Sequence, residues 1–249
     1  GLHISSKGNV LVAPDLVSIE SLVSAWLVGD DDKVKFAAGG GDVYKVVARL
    51  ILGLTAFKGW DKVDESVPVT KLQRQNQGKV PELSCGYQGG HKAVAKFCET
   101  GGTVYPGDAE AKRWVQTWRR YHPHHVAYWK AINQAAIRAV MSPGRVFALG
   151  PEGRRVSLVM DGPHLTCSLP SGSVLCYPFA RVEHGKFGPS VSYMKAKGKM
   201  WYRNHYYGGH GLENVTKRVA RDLLAWGMVN LEAMGFKIVT HSHDEAVVD

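Results

Sequence analysis

Two aspartates far apart in the chain raise the first chemical question. Asp15 ends a short apolar run, Asn9-Val-Leu-Val-Ala-Pro14, that reads as a strand, and a helical pattern follows it. Asp244 sits more than two hundred residues later, with Glu245, between the apolar runs 237–241 and 246–249. Carboxylates fixed at strand ends can share divalent cations. Mg²⁺ takes a few hard oxygen ligands and fills its remaining positions with water and substrate phosphate. Two such ions roughly 3.5–4 Å apart can activate an attacking hydroxyl and steady the leaving oxygen of an in-line phosphoryl transfer. Taken singly, each Asp is more commonly a turn residue or a helix cap. The middle of the chain adds Lys79, Leu83 and Tyr87, spaced by four and therefore one stripe of a helix. The lysine could meet phosphate as a point charge and the tyrosine could stack on a base, although a plain amphipathic face has the same spacing.

Several elements must position these groups. Ile19, Leu22, Val23, Trp26 and Leu27 have helical spacing, and Gly29 with Asp30–Asp32 should end that helix. Residues 42–54 read as a second helix after the Gly39–Gly41 loop, and 55–72 as irregular. The segment from Lys71 to Tyr87 reads as a helix stopped by Gly89–Gly90, with Pro81 in conflict with it unless it lies in a first turn. A long helical region covers 108–141, broken at Pro123. Between 144 and 203 the pattern turns to short strands: Arg145–Leu149, Arg155–Met160, His164–Leu169, Ser173–Tyr177 and Ser190–Met194. A strong amphipathic helix spans 211–234, and the chain ends in a predicted β-hairpin with Asp244 and Glu245 at its tip.

Composition narrows the class. The chain has 249 residues, 45% hydrophobic and 21% charged, which excludes wholesale disorder. No apolar run is long enough to cross a membrane. Lys and Arg total 31 against 22 Asp and Glu, a net charge of +9, which favours a polyanionic partner, nucleic acid first. Cys85, Cys98, Cys167 and Cys176 form no Cys-x-x-Cys pair and read as reduced thiols in a cytoplasmic setting. Gly39–Gly41 lacks the Gly-Lys-Ser/Thr ending of a phosphate loop, and His122, His124 and His125 lack the cysteines of a structural zinc site. Trp114, Trp118 and Trp129 read as packing residues.

Longer blocks then carry a resemblance. Asp15-Leu-Val-Ser-Ile-Glu20 with Leu22-Val-Ser-Ala-Trp26 resembles motif A of the family A (polymerase I type) DNA polymerases. Gly78-Lys79-Val-Pro-Glu-Leu-Ser-Cys-Gly-Tyr87-Gln-Gly-Gly90 resembles motif B in its bacteriophage form, and His241-Ser-His243-Asp244-Glu245 resembles motif C. Leu169-Pro-Ser-Gly172, Tyr207-Gly-Gly-His-Gly-Leu-Glu213-Asn214 and Ala220-Arg221-Asp222 match the phage branch between them, all in the family's order.

The resemblance implies an α+β fold: a polymerase right-hand palm, an antiparallel sheet backed by helices, with a helical fingers subdomain. Palm would occupy 1–54 and 142–249, and fingers with the following helices 55–141. Asp15 and Asp244 would bind two Mg²⁺ ions, with the Leu16 carbonyl as a further ligand. Glu20 would disfavour a ribose 2′-hydroxyl; Lys79, helped by Arg74 and Leu83, would hold the incoming dNTP, and Tyr87 would stand by the templating base. His243 and catalytic Glu245 would lie near the primer terminus. Asn214, Lys217, Arg218 and Arg221 would approach the primer–template DNA. The implied reaction is template-directed DNA synthesis in phage replication, in the host cytoplasm and without a membrane partner. The alternative is a catalytically weak polymerase-fold fragment that binds primer–template or partner subunits. Relative to the family, thumb, exonuclease domain and the palm C-terminus are expected to be absent from these residues or supplied by another polypeptide. The sequence also departs from the family's motifs. The family's motif B arginine lies four residues before the lysine, where this chain has Gln75, so Arg74 is one residue off unless a local bulge corrects it. The family usually has Arg at the positions of Leu22 and Ser173 and Gln at Lys217, and Pro81 stands where a helix former is usual.

Overall fold

A computed structural model describes residues 5–55, 58–185 and 188–249. Helices dominate the first 141 residues: α1 (Ile19–Val28), α2 (Asp31–Ala38), α3 (Val43–Leu52), α4 (Lys71–Gln73), α5 (Val80–Cys85), α6 (His91–Thr100), α7 (Asp108–Tyr121) and α8 (Pro123–Met141). A π-helix, Arg74–Lys79, joins α4 to α5. Seven strands follow, β1 (Phe147–Leu149), β2 (Val156–Asp161), β3 (His164–Ser168), β4 (Val174–Tyr177), β5 (Arg181–Gly185), β6 (Gly188–Lys197) and β7 (Met200–Tyr206). The 26-residue α9 (Gly208–Ala233) leads to the hairpin β8 (Ile238–Ser242) and β9 (Glu245–Val248). The mixture of helices and antiparallel sheet agrees with the α+β expectation.

The strands form three small sheets rather than one: β1-β2-β3-β4, β5-β6-β7 and β8-β9. Helix α8 packs along the first of these and against α9, and α9 also packs on α1. One large apolar core runs through these elements, from Val23 and Leu27 through Trp118, Trp129 and Ile132 to Leu158, Leu165, Leu212 and Val215. The tryptophans of α7 and α8 are packing residues, as their spacing suggested.

Three local readings need correction. The run 9–14 forms no regular strand; only Val12 and Asp15 make bridges, to Val248 and Glu245. Pro14 has no N–H to donate, and its carbonyl accepts from Ala246 N at 3.3 Å, so a full ladder cannot form there. Asp30–Asp32 do more than end α1: Gly29 caps that helix in the left-handed conformation, and Asp31 and Asp32 open α2, where carboxylates suit the positive end of the helix. Helix α6 and strands β5 and β7 also lie where the sequence marked no element.

A buried polar cluster ties the helices together. Glu82 of α5 accepts from Lys33 of α2, from Ser21 Oγ of α1 at 2.6 Å and from Trp118 Nε1 of α7 at 2.8 Å. Burial raises the Glu82 carboxyl, but the Lys33 ammonium, His122 and these hydrogen bonds outweigh it and hold the group well below the usual carboxylate range. His122 stacks on Trp118, and its Nδ1–H donates to the Trp118 carbonyl at 2.8 Å. Burial, helped by the Lys33 charge, pulls His122 down to about 4 from 6.5, and His125 lies well below its ordinary value for the same reasons. Both imidazoles are therefore neutral at pH 7.

A histidine lowered on folding contributes stability above its unfolded value that is lost as pH falls toward its folded one. Lowering pH from 7 to 4 should cost on the order of 3 kcal/mol through His122 alone, at 1.36 kcal/mol per unit. Urea unfolding across that range should show the loss starting near pH 6.5, before ordinary carboxylates titrate. His122→Gln should lower the baseline but flatten this slope, and an unchanged slope would remove His122 from the account.

Candidate active site

The two ends of the described chain are joined at the site. Val12 and Val248 exchange both backbone hydrogen bonds at 2.9 Å, and Leu16 N donates to the Asp244 carbonyl at 3.0 Å. Asp15, bridged to Glu245, is thereby set beside the β8–β9 turn that carries His243 and Asp244. Alternation along the extended segment separates the side chains. Asp15 and Val17 line a cavity of about 780 Å³, whereas Pro14 and Leu16 face an apolar groove beside the second half of α9. Leu16 thus presents only its backbone toward this region, and its carbonyl already accepts from Ile19 N at 3.2 Å. A carbonyl oxygen has a second lone pair, so a hard cation is still compatible with it.

The cavity gathers side chains from the three motif blocks and from α9, but none from Leu169–Gly172 or Tyr207–Asn214. Asp15 and Glu20 come from the segment entering α1 and its first turn, and Arg74, Lys79 and Leu83 from the π-helix and α5. Lys217 and Arg221 come from α9, and His243 and Asp244 from the hairpin turn. Ser18, Tyr44 and Phe97 also line it and were not anticipated. A positive φ at Ser18, 55°, is the only local signal of strain at that position, and the sequence does not announce it.

The π-helix resolves the displaced arginine. Its wider turn pairs Val80 N with the Gln75 carbonyl, five residues back. Residues five apart on a π turn stand where residues four apart stand on an α turn, so Arg74 and Lys79 share a face and both reach the cavity. Pro81 follows directly. In an α-helix its ring would clash with the carbonyl four residues earlier, and the wider turn before it relieves that clash. Gly78 lets this turn press on α3: a Cβ there would lie 2.1 Å from the Tyr44 carbonyl oxygen. Arg74 is held in place by Asp42, whose Oδ2 accepts from its Nε at 2.6 Å, and by the Tyr44 ring 4.9 Å below it. The same Asp42 caps α3 through Tyr44 N and Lys45 N.

Other expected site residues lie outside the cavity. Tyr87 is largely buried, and its hydroxyl donates to Glu20 Oε2 at 3.3 Å. Burial, then the Glu20 charge, keeps this phenol protonated far above its usual range. Asn214 donates to the Tyr177 hydroxyl and contacts His210, and Arg218 donates to Ser173 Oγ and pairs with Asp222. Glu245 opens β9 rather than lining the cavity. Lys217, in the cavity wall, pairs with Glu213 at 2.6 Å; the His210 hydrogen bond first, and then Lys217, pull the Glu213 carboxyl to about 2 against its burial.

Over 256 aligned positions the sequence is 32% identical to a DNA polymerase of Bacillus phage SP02, covering 99% of this chain. The chain is a relative of a phage DNA polymerase. It spans 36% of that protein's length. No family model matches the chain. Among the described residues no three His, Cys, Asp or Glu side chains cluster as a ready-made metal site. Two carboxylates beside an open cavity that also holds Lys79 and Arg74 are nevertheless the donor set Mg²⁺ uses when substrate phosphates and water complete its shell. No described helix is long and apolar enough to cross a membrane.

Removal of Gln75 combined with Pro81→Ala should convert the π turn to an ordinary α turn while leaving Arg74 and Lys79 on one face. Affinity of the cavity cations for inorganic tripolyphosphate, read by calorimetric titration, should stay within ~3-fold. A drop beyond ~10-fold (about 1.4 kcal/mol) would mean the π turn itself shapes the site.

Proposed function

We propose that this chain carries the catalytic palm and fingers of a family A DNA polymerase of the phage type, adding dNTPs to a primer 3′ end on a DNA template. The observation that supports this best is the single cavity that joins Asp15 and Asp244 to Glu20, Lys79 and Arg74, residues drawn from three ordered sequence blocks. In this reading 1–54 and 142–249 form the palm and 55–141 the fingers.

Asp15 and Asp244, with the Leu16 carbonyl, would hold two Mg²⁺ ions, which when bound supply charge neutralisation at the attacking and leaving oxygens. Lys79 and Arg74 bind the triphosphate from the opposite wall, one as a mobile point charge and one fixed by Asp42. Leu83 packs beside the nucleotide. Glu20 lies beneath the sugar, and the Tyr87 hydroxyl fixes its carboxylate against a 2′-hydroxyl. His243 reaches the primer end, with Glu245 behind it on β9. Lys217 and Arg221 face the DNA backbone from α9, while Asn214 and Arg218 hold that helix to the neighbouring strands. Phosphoryl transfer needs positioning and charge compensation more than covalent help from the protein, and this lining supplies both.

Primer extension tests the reading. Asp244→Asn should lower extension by ~1000-fold or more, as expected for losing several kcal/mol of transition-state stabilisation, with DNA affinity nearly unchanged; near-normal turnover would refute the assignment. Glu20→Ala should shift the ratio of ribonucleotide to deoxyribonucleotide incorporation upward by ~10-fold or more, a change of about 1.4 kcal/mol in discrimination. A constant ratio would take the sugar-sensing role away from Glu20.

A further inference from the structure

The β6–β7 hairpin leaves the core. Val191, Ser192 and Tyr193 are buried, Met194 is half-buried, and residues 195–202 are exposed. Its root is firmly anchored. Tyr193 Oη lies 2.7 Å from His210 Nε2 on α9, Asn204 donates to the same hydroxyl at 2.9 Å, and Arg203 donates to the Phe179 carbonyl and Ser192 Oγ. Its far end is chemically unusual for a solvated turn. Met200 is 71% exposed, Trp201 59% and Tyr202 41%. The register sets Lys195 opposite Tyr202 and Lys197 opposite Met200, so these share one face, while Trp201 lies on the other face with Ala196 and Arg203. One face of the projecting end therefore sets Tyr202 beside Lys195 and Lys197, and the other presents Trp201 with Lys199 at the adjacent turn. Residues 188–206 contain no acid, and Lys195, Lys197 and Lys199 form no ion pair with a described residue.

We propose that this hairpin end is a second DNA contact, outside the cavity, that takes unpaired nucleotides: Trp201 and Tyr202 stack on bases while the lysines meet phosphates. The uncompensated positive charge selects a polyanion, and the exposed rings select one with free base faces. Bases within a duplex are already stacked and offer no such face, whereas unpaired bases gain from any aromatic platform. The choice of DNA as the polyanion rests on the polymerase reading above. The placement fits it, because His210 at the hairpin root is seven residues, about 10 Å along α9, from Lys217 in the cavity wall.

Anisotropy titrations of the full chain, without metal or nucleotide, separate this site from catalysis. The probes are a fluorescent oligothymidylate and a blunt duplex. The double variant Trp201→Ala, Tyr202→Ala should bind oligothymidylate at least ~10-fold more weakly and the blunt duplex within ~3-fold of wild type. Converting Lys195, Lys197 and Lys199 to Gln should reduce the slope of log affinity against log salt by about 2 on the single strand. Equal losses on both probes, or none on either, would overturn the proposal, as would a wild-type dimer that Trp201→Ala dissociates. The substituted side chains are exposed, so an unchanged thermal unfolding profile is expected and controls for folding. Selective oligothymidylate binding alongside absent primer extension would count against the polymerase reading and leave the single-strand site standing.

Discussion

One buried carboxylate fixes the relation between the walls of the cavity. Glu82 leaves α5 three residues after Lys79 and is met by groups from α1, α2 and α7. Its partner on α1, Ser21, is the neighbour of Glu20. An unpaired charge at this depth would cost several kcal/mol, so the arrangement is stable only when Lys33 and the other donors are all in place. That condition makes the cluster a poor source of net stability and a strong source of register. If α5 slid along α1 by a fraction of a turn, Glu82 would lose its donors and Lys33 its acceptor. Lys79 and Glu20 are thereby held at one spacing across the cavity, with Tyr87 bonded to Glu20 from outside it, and His122, kept neutral, fills the cluster without adding a second buried positive charge.

The opposite wall is held by backbone. Asp15 and Asp244 are 229 residues apart in sequence, yet only a few main-chain hydrogen bonds between residues 12–16 and the terminal hairpin bring them together. Those bonds close a loop of more than two hundred residues, and the entropic penalty of closure rises only slowly with loop length. What secures them is α9, which packs against α1, β8 and β9 at once. The helix therefore serves both as cavity wall, through Lys217 and Arg221, and as the brace for the segments carrying the two aspartates.

Much of this was legible in the sequence because the relevant signals are local. Helices α1, α3, α7, α8 and α9 follow from apolar spacing, and the Pro123 break and terminal hairpin from turn chemistry. The residues that meet in the cavity could be named because their blocks are short and ordered. The sequence left open what depends on approach between distant segments. Tyr44 and Phe97 sit on helices whose own patterns look like ordinary packing faces. The buried Lys33–Glu82 pair looks, letter by letter, like two solvated charges. Leu16 and Asp15 are adjacent in sequence but fall on opposite sides of an extended segment, which only its pairing with residues 244–248 decides.

The displaced arginine and Pro81 illustrate how two apparent defects can be one feature. Separately, an extra residue between Arg74 and Lys79 would rotate one of them off the cavity face, and a proline in mid-helix would break the helix that carries Lys79. A π turn absorbs the extra residue and opens the ladder just before the proline, so each change removes the penalty of the other. Gly78 and Asp42 complete the arrangement, one by allowing the widened turn to contact the Tyr44 backbone and one by holding Arg74. The consequence is directional. Reverting either change alone would leave the other uncompensated, so residue 81 and the spacing between 74 and 79 are coupled, and substitutions at one should be read only together with the other.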